Sequence, residues 1–331
     1  MKLTYTQPTD FWREREFGAK ISAAFDFIGA HWRRLGKCLL YFVLPPALVM
    51  GIGLGLFTNG LYSSMLVPKT AFTSSPFGQF NFWGLGVGMV GMLVSVVMLS
   101  STVYGYMRSR LRLAPDEAVE PHHVWEAIRA RLGWVLLAVV VLVGGGYLGL
   151  ALVVGLLIAG VSALGINPWV SFLGVVVAMV PLVYVAVAMS LYFPVLWLED
   201  QGIFQALGRC FRLIKGEWWS TLGLLLVTSL IQSSLGVVFV IPQYAVMFGK
   251  ALHLPFLDSD VVGVAAQCVY ALGIIFTNSI SLLVMAFQYF NLVERTEGFG
   301  SRLLLDTLGQ PATAAATLRD DYYRPDEEGE Y

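Results

Sequence analysis

The residues with chemistry to offer are few, and they sit beside long apolar stretches. His122 and His123 are adjacent in sequence. A helical zinc pair needs i and i+4 spacing with further ligands nearby, so the two histidines read as part of a solvated loop. Glu199 and Asp200 precede an amphipathic segment, where N-capping and the helix dipole account for carboxylates without catalysis. Gly144-Gly145-Gly146 lies inside an apolar run, and no Lys-Ser/Thr follows it, so it is not a phosphate loop. Cys38, Cys210 and Cys268 form no disulfide framework and read as small buried apolar residues. No Ser-His-Asp, Cys-His or paired-carboxylate constellation emerges. The sequence therefore assigns no catalytic, cofactor or metal residues, and the chain reads as non-enzymatic.

Two polar groupings remain. Gln267, Asn278, Ser281 and Gln288 fall near one face of a helix, with Gln232, Ser233 and Ser234 on a neighbouring segment to meet them. In a membrane such amides usually bind helices together, and the functional alternative is a polar lining for a headgroup or small solute. The second grouping is charged: Glu199, Asp200, Arg209, Arg212, Glu294 and Glu297. Pairing of Glu294 and Glu297 with Arg209 or Arg212 would clamp the end of the last apolar stretch to the segment near 209.

The elements that must position these residues are set by composition. The chain has 331 residues, 57% apolar and only 13% charged. A soluble domain carries about 25% charged residues. A helical span needs about 20 apolar residues to cross the hydrocarbon core. Six stretches qualify, near 38–58, 82–107, 134–160, 168–197, 218–241 and 262–292, and none contains an ionisable Asp, Glu, Lys, Arg or His. That absence argues against proton pumping and against transport of strongly charged substrates. Of the 21 Lys and Arg residues, all but Lys69 and Lys250 fall on one side of this arrangement. The positive-inside rule then predicts a multi-pass protein of a bacterial cytoplasmic membrane with both termini cytoplasmic. The basic residues flank spans rather than forming a separate module, so nucleic acid is not an expected partner. Pro45-Pro46 and Pro181 are expected to kink their spans.

A pattern recurs before three of the spans. Phe25, Ile28, Trp32 and Leu35 form one helical stripe; Trp125, Ile128 and Leu132 form a second; Phe204, Leu207, Phe211 and Ile214 form a third. The spacing predicts three interfacial helices, near 14–36, 117–133 and 200–216, each leading into a helical hairpin. The fold expected is an all-α integral membrane protein of three such repeats over 1–310, followed by an acidic disordered cytoplasmic tail over 311–331. The stripes read as elbows that set the angle of the following span, and secondarily as faces for lipid or a partner.

Residues 198–219, with Glu199, Gly202, Ala206-Leu207, Arg209 and Lys215-Gly216-Glu217-Trp218, resemble a recurring element of a bacterial membrane family. That family is the membrane domain fused to some glycerophosphodiester phosphodiesterases. The segment Gln288-Tyr289-Phe290-Asn291-Leu292-Val293-Glu294-Arg295-Thr296-Glu297-Gly298 is similar to the family's ending after its last span. The resemblance implies the six-span fold. It does not carry over the phosphodiesterase activity, because the soluble catalytic barrel is missing from this sequence. The expectation is a membrane scaffold or accessory subunit of an envelope system, in contact with lipid and a protein partner and using no cofactor. The alternative is a passive transporter, channel or lipid-handling protein that uses the polar faces of the fifth and sixth spans.

Overall fold

The structure is a computed structural model that describes residues 5–66, 81–114, 117–164, 168–199 and 201–307. Among these residues it is all helix, with no strand. A short α1 (Pro8–Phe11) precedes α2 (Phe17–Phe42), α3 (Leu44–Leu66), α4 (Phe82–Arg112) and α5 (Pro121–Leu164). Then come α6 (Pro168–Met189), α7 (Tyr192–Leu198), α8 (Ile203–Ile214), α9 (Trp218–Ala251), α10 (Asp260–Glu297) and α11 (Phe299–Thr307). Six stretches are long and apolar enough to cross a bilayer: Leu44–Tyr62, Phe82–Arg112, Pro121–Gly155, Met179–Leu198, Trp218–Ala251 and Asp260–Glu297. The expected all-α membrane class is the one observed.

The breaks between helices have local causes, and they differ from the sequence expectation in three places. Pro45 and Pro46 do not kink a span. They occupy the first turn of α3, where a missing N–H costs nothing, and the chain breaks just before them at Val43. The fourth span is interrupted after Met189, because Pro194 cannot donate to the carbonyl one turn back, and the chain restarts as α7. The segment near 117–133 is not a separate interfacial helix. It is the first part of a continuous 44-residue α5, since no proline lies inside that helix and Gly133 stays helical. The third elbow is separate. Gly216 adopts φ +90° between α8 and α9, a conformation that a side chain resists. The region expected as a disordered tail lies outside the described residues beyond Thr307.

α3, α4 and α10 form the tightest unit, with α9 against α10 and α5 against α4. Close approach is set by glycine. A Cβ on Gly53 would lie 2.3 Å from the Gly88 nitrogen, and one on Gly51 would lie 2.7 Å from Cys268 Cα. Small residues at such contacts let backbones meet where no hydrophobic force drives helices together. The largest buried side chains gather toward the arginine-rich end and include Trp197, Tyr104, Tyr106, Phe27 and Phe287. Phe11 and Trp12 close that end from below, against Phe287, Phe290 and Phe299. The opposite pattern holds for α5 beyond Val139. Leu148 and Leu152 are exposed, and a Cβ at Gly145 or Gly149 would meet nothing within 4 Å.

Candidate functional site

The charged cluster is built where α7, α8 and α10 meet. Glu199 follows the last turn of α7 and projects toward α8. Its carboxylate accepts from Arg209 Nε (2.9 Å), Gln201 Nε2 (2.9 Å) and the Tyr289 hydroxyl (3.0 Å). Arg209 also pairs with Glu297 at the end of α10. Arg209 and Glu199 are about nine-tenths buried, and Glu297 is partly exposed. Burial alone would lower the Arg209 pKa. The hydrogen bonds that it donates to Glu297 and Glu199 outweigh burial and leave the guanidinium above its ordinary value. Burial, reinforced by Glu199, also pushes the neighbouring Cys210 thiol up to about 12.

The structure thus brings together Glu199, Arg209 and Glu297. It places Arg212 on the exposed side of α8, and Asp200 lies outside the described residues. Glu294 does something different from the expected pairing. Its carboxylate accepts from the Gly300 and Ser301 backbone N–H groups and from the Ser301 hydroxyl, and so caps the start of α11. Gly298, in the left-handed region, makes the turn that this cap requires. Arg295, which the sequence reading left unassigned, pairs with Glu217 at the α8–α9 turn.

The polar face of α10 is occupied by helix packing. The Gln288 side-chain amide donates to Thr221 of α9 (2.8 Å), and the Ser281 hydroxyl donates to Gln232 of α9 (2.7 Å). Asn278 donates to the Ile274 carbonyl of its own helix (2.8 Å). Gln267 is buried against α3, where its Cβ sits beside Gly55. The four residues share a helix face but do not converge on one chamber. A groove of 600 Å³ does run between α9 and α10 farther from the arginine-rich end, lined in part by Gln232, Ser233, Tyr244 and Thr277.

The three stripes are divided between packing and exposure. On α2 the packed line is Ala24, Phe27, His31, Leu35 and Cys38, while Phe25 and Trp32 are exposed, Trp32 by 61%. On α8 the packed line is Ile203, Ala206, Cys210 and Leu213, with Ile214 buried beside it and Phe204 76% exposed. Ile128 is buried, whereas Trp125 is partly exposed and stacks on Phe42 at 5.6 Å. Phe211 stacks on Tyr184, which in turn stacks on Trp218. Leu207 and Leu132 are partly buried. The stripes therefore join the packed lines at Leu35, Ile128 and Ile214 and leave Phe25, Trp32, Trp125 and Phe204 at the rim of the bundle.

Sequence reasoning missed a cavity of 770 Å³ between α4 and α5, capped by the end of α7. Arg108 and Arg112 reach it from α4, and Arg131 and Trp134 from α5. Arg108 donates to the Trp197 carbonyl, and Arg131 donates to the Leu196 carbonyl (2.9 Å). The signal in the sequence is the i, i+4 pair Arg108/Arg112, which puts two guanidinium groups on one face of α4. Among the described residues, no group of three or more His, Cys, Asp or Glu side chains is placed to hold a metal ion.

An all-α chain with six bilayer-length apolar helices, tied at one end by buried charges, is a multi-pass membrane protein. Within that class, residues 117–294 match the family described as Domain of unknown function (DUF7847), and the chain belongs to that family. The match takes in α5 through most of α10, and with them Glu199, Arg209 and Glu294. Comparison with curated proteins and with solved structures gives no match.

Proposed function

We propose that this protein is a non-enzymatic membrane scaffold, an accessory subunit of a bacterial envelope system. The observation that carries the reading is the use of the polar residues of α9 and α10. Gln288 with Thr221, and Ser281 with Gln232, join the two helices rather than line a common path. A conduit would need such groups turned toward a continuous chamber. The Glu199–Arg209–Glu297 clamp gives the arginine-rich end a fixed shape, and the exposed outer part of α5 offers a lateral face to a protein partner. The charge asymmetry supports a cytoplasmic-membrane location with this end in the cytoplasm. The similarity of residues 198–219 and 288–298 to the membrane domain fused to glycerophosphodiester phosphodiesterases supports one six-span unit over 1–310. The acidic 311–331 segment then serves as a second, cytoplasmic contact for a partner.

Purification from native membranes in mild detergent, with crosslinking, tests this reading. Recovery of one partner in fixed stoichiometry is expected. A monomer that by itself moves solute or lipid in liposomes would overturn it. The α9–α10 groove favours that second reading, a lipid-handling or passive transport role. In that case Gln232→Leu would abolish flux, whereas on the scaffold reading it would only loosen α9 from α10.

A further inference from the structure

We infer that the cavity where the start of α2 meets α9 and the end of α10 binds a phosphoethanolamine diester, phosphate inward and primary ammonium outward, supplied by a lipid headgroup or by its soluble counterpart. The inference does not depend on the scaffold reading. The cavity has a volume of 290 Å³. Lys20 of α2, Ser220 of α9, and Asn291 and Arg295 of α10 line it, with Glu14 and Glu16 just ahead of α2.

Two donors in this lining have no partner among the described residues. Lys20 is only 3% exposed, yet its ammonium makes no hydrogen bond or ion pair. The charges that act on it, Glu217 and Arg295, are paired with each other. The amide nitrogen of Asn291 is also buried without a hydrogen bond. Its amide oxygen accepts from the Arg15 backbone N–H (2.7 Å), which sets the orientation of the amide. Burying an ammonium without a hydrogen-bonded partner is costly, and burial lowers the Lys20 pKa accordingly. An oxyanion seated against Lys20 and Asn291 accepts from both and supplies the missing partner. The Arg15 guanidinium is engaged elsewhere. It donates to the Phe11 carbonyl (2.9 Å) and to the Asp10 carbonyl, and it lies over the Phe287 ring at 5.0 Å.

The mouth of the cavity carries the opposite charge. Glu16 is exposed, and Glu14 is exposed with its carboxylate 4.0 Å from Arg295 Nε. These carboxylates repel a ligand that is only anionic and accept from one that ends in an ammonium. The position favours a lipid. Ser220 lies in the first turn of α9 and Asn291 near the end of α10, both helices of bilayer length, so the cavity sits at a membrane edge. Phe17 lines it and is exposed, and Trp219 beside Ser220 is exposed as well, as rings at headgroup level are. Pockets for drug-sized ligands run to about 300–1,000 Å³, so this smaller one suits a headgroup with its acyl chains outside.

The test uses the full chain, delipidated in maltoside detergent. Phosphatidylethanolamine, phosphatidylglycerol and soluble glycerophosphoethanolamine are added in separate arms. Melting temperature and ligand retention in native mass spectrometry are read out. Phosphatidylethanolamine should raise the melting temperature and bind about threefold more tightly than phosphatidylglycerol, the scale of one exposed ion pair. Lys20→Met should weaken binding about tenfold or more, while the ligand-free variant stays at least as stable as wild type because a buried ammonium is gone. Asn291→Asp keeps the acceptor for the Arg15 N–H and removes the amide donors, and it should weaken binding about tenfold. Lys215→Gln, exposed after α8 and outside the cavity, should stay within about twofold of wild type. A response to phosphatidylethanolamine without one to glycerophosphoethanolamine identifies the lipid headgroup as the source. An equal response to both identifies a soluble ligand. The inference is overturned if neither stabilises the protein, if phosphatidylglycerol binds as tightly as phosphatidylethanolamine, or if Lys20→Met and Asn291→Asp bind as wild type does.

Discussion

Arg209 is the residue on which the charged end depends. Among the described residues, removing it leaves Glu199 buried with Gln201 and Tyr289 as its hydrogen-bond partners. Stranding one member of a buried pair costs about 3–5 kcal/mol, far more than a surface pair is worth. Arg209→Met should therefore cost about 3 kcal/mol in reversible unfolding from bicelles. The double variant Arg209→Met/Glu199→Met should cost less than Arg209→Met alone, because no charge is then stranded. Glu297, more exposed, contributes less: Glu297→Gln should cost about 1 kcal/mol or less. Cys210 gives an independent check. With its thiol pushed up to about 12 by burial and by Glu199, it stays protonated at neutral and mildly alkaline pH. A protein in which Cys210 is the sole cysteine should resist iodoacetamide at pH 8 until denatured. The sign for stability follows. The raised pKa contributes fully below the unfolded thiol value of about 8.5, and the contribution is lost as pH rises through the folded value. At this scale the sequence was partly legible. It placed Glu199, Arg209 and Glu297 in one group, but Arg212 was an equally good candidate on spacing alone. Which arginine faces inward depends on the rotation of α8, fixed by burial of Ala206 and Cys210.

At the scale of elements, the glycines at the α3 contacts decide how closely the central helices approach. A leucine at Gly88 would run into Leu54 of α3, whose side-chain and backbone atoms lie 2.8 Å from a Cβ there. Gly88→Leu should destabilise the protein by about 1–3 kcal/mol, the usual cost of overpacking. Gly145→Leu on the open side of α5 should leave the isolated protein's stability unchanged to within about 0.5 kcal/mol. Thermal unfolding of the two variants in one detergent makes the comparison. The apolar spans were legible because hydrophobic length is a strong signal. The helix breaks were legible where backbone chemistry forces them, as at Gly216; Pro45 and Pro46 signalled a disruption but not its form, a break at Val43 that leaves them in the first turn of α3. Nothing local separates the amphipathic start of α5 from its span, so the repeat pattern suggested a joint that the backbone does not have. Phe11 and Trp12, in a charged N-terminal stretch, gave no sign that they close the bundle, since that role arises from contacts with Phe287, Phe290 and Phe299 nearly 280 residues away.

The whole molecule is closely packed at its arginine-rich end and open along the outer half of α5. The same polar residues that made a transport path conceivable join α9 to α10, and the largest buried side chains gather near the clamp. Such a body suits a part that holds others in register. The most direct test is site-specific photocrosslinking in native membranes, with a photoreactive residue at Gly149 on the open side of α5 and, as a control, at the buried Phe27 of α2. The account predicts that the Gly149 probe captures one defined protein in fixed stoichiometry and the Phe27 probe captures none. Capture of lipid alone at Gly149, together with solute or lipid flux by the isolated monomer in liposomes, would contradict it.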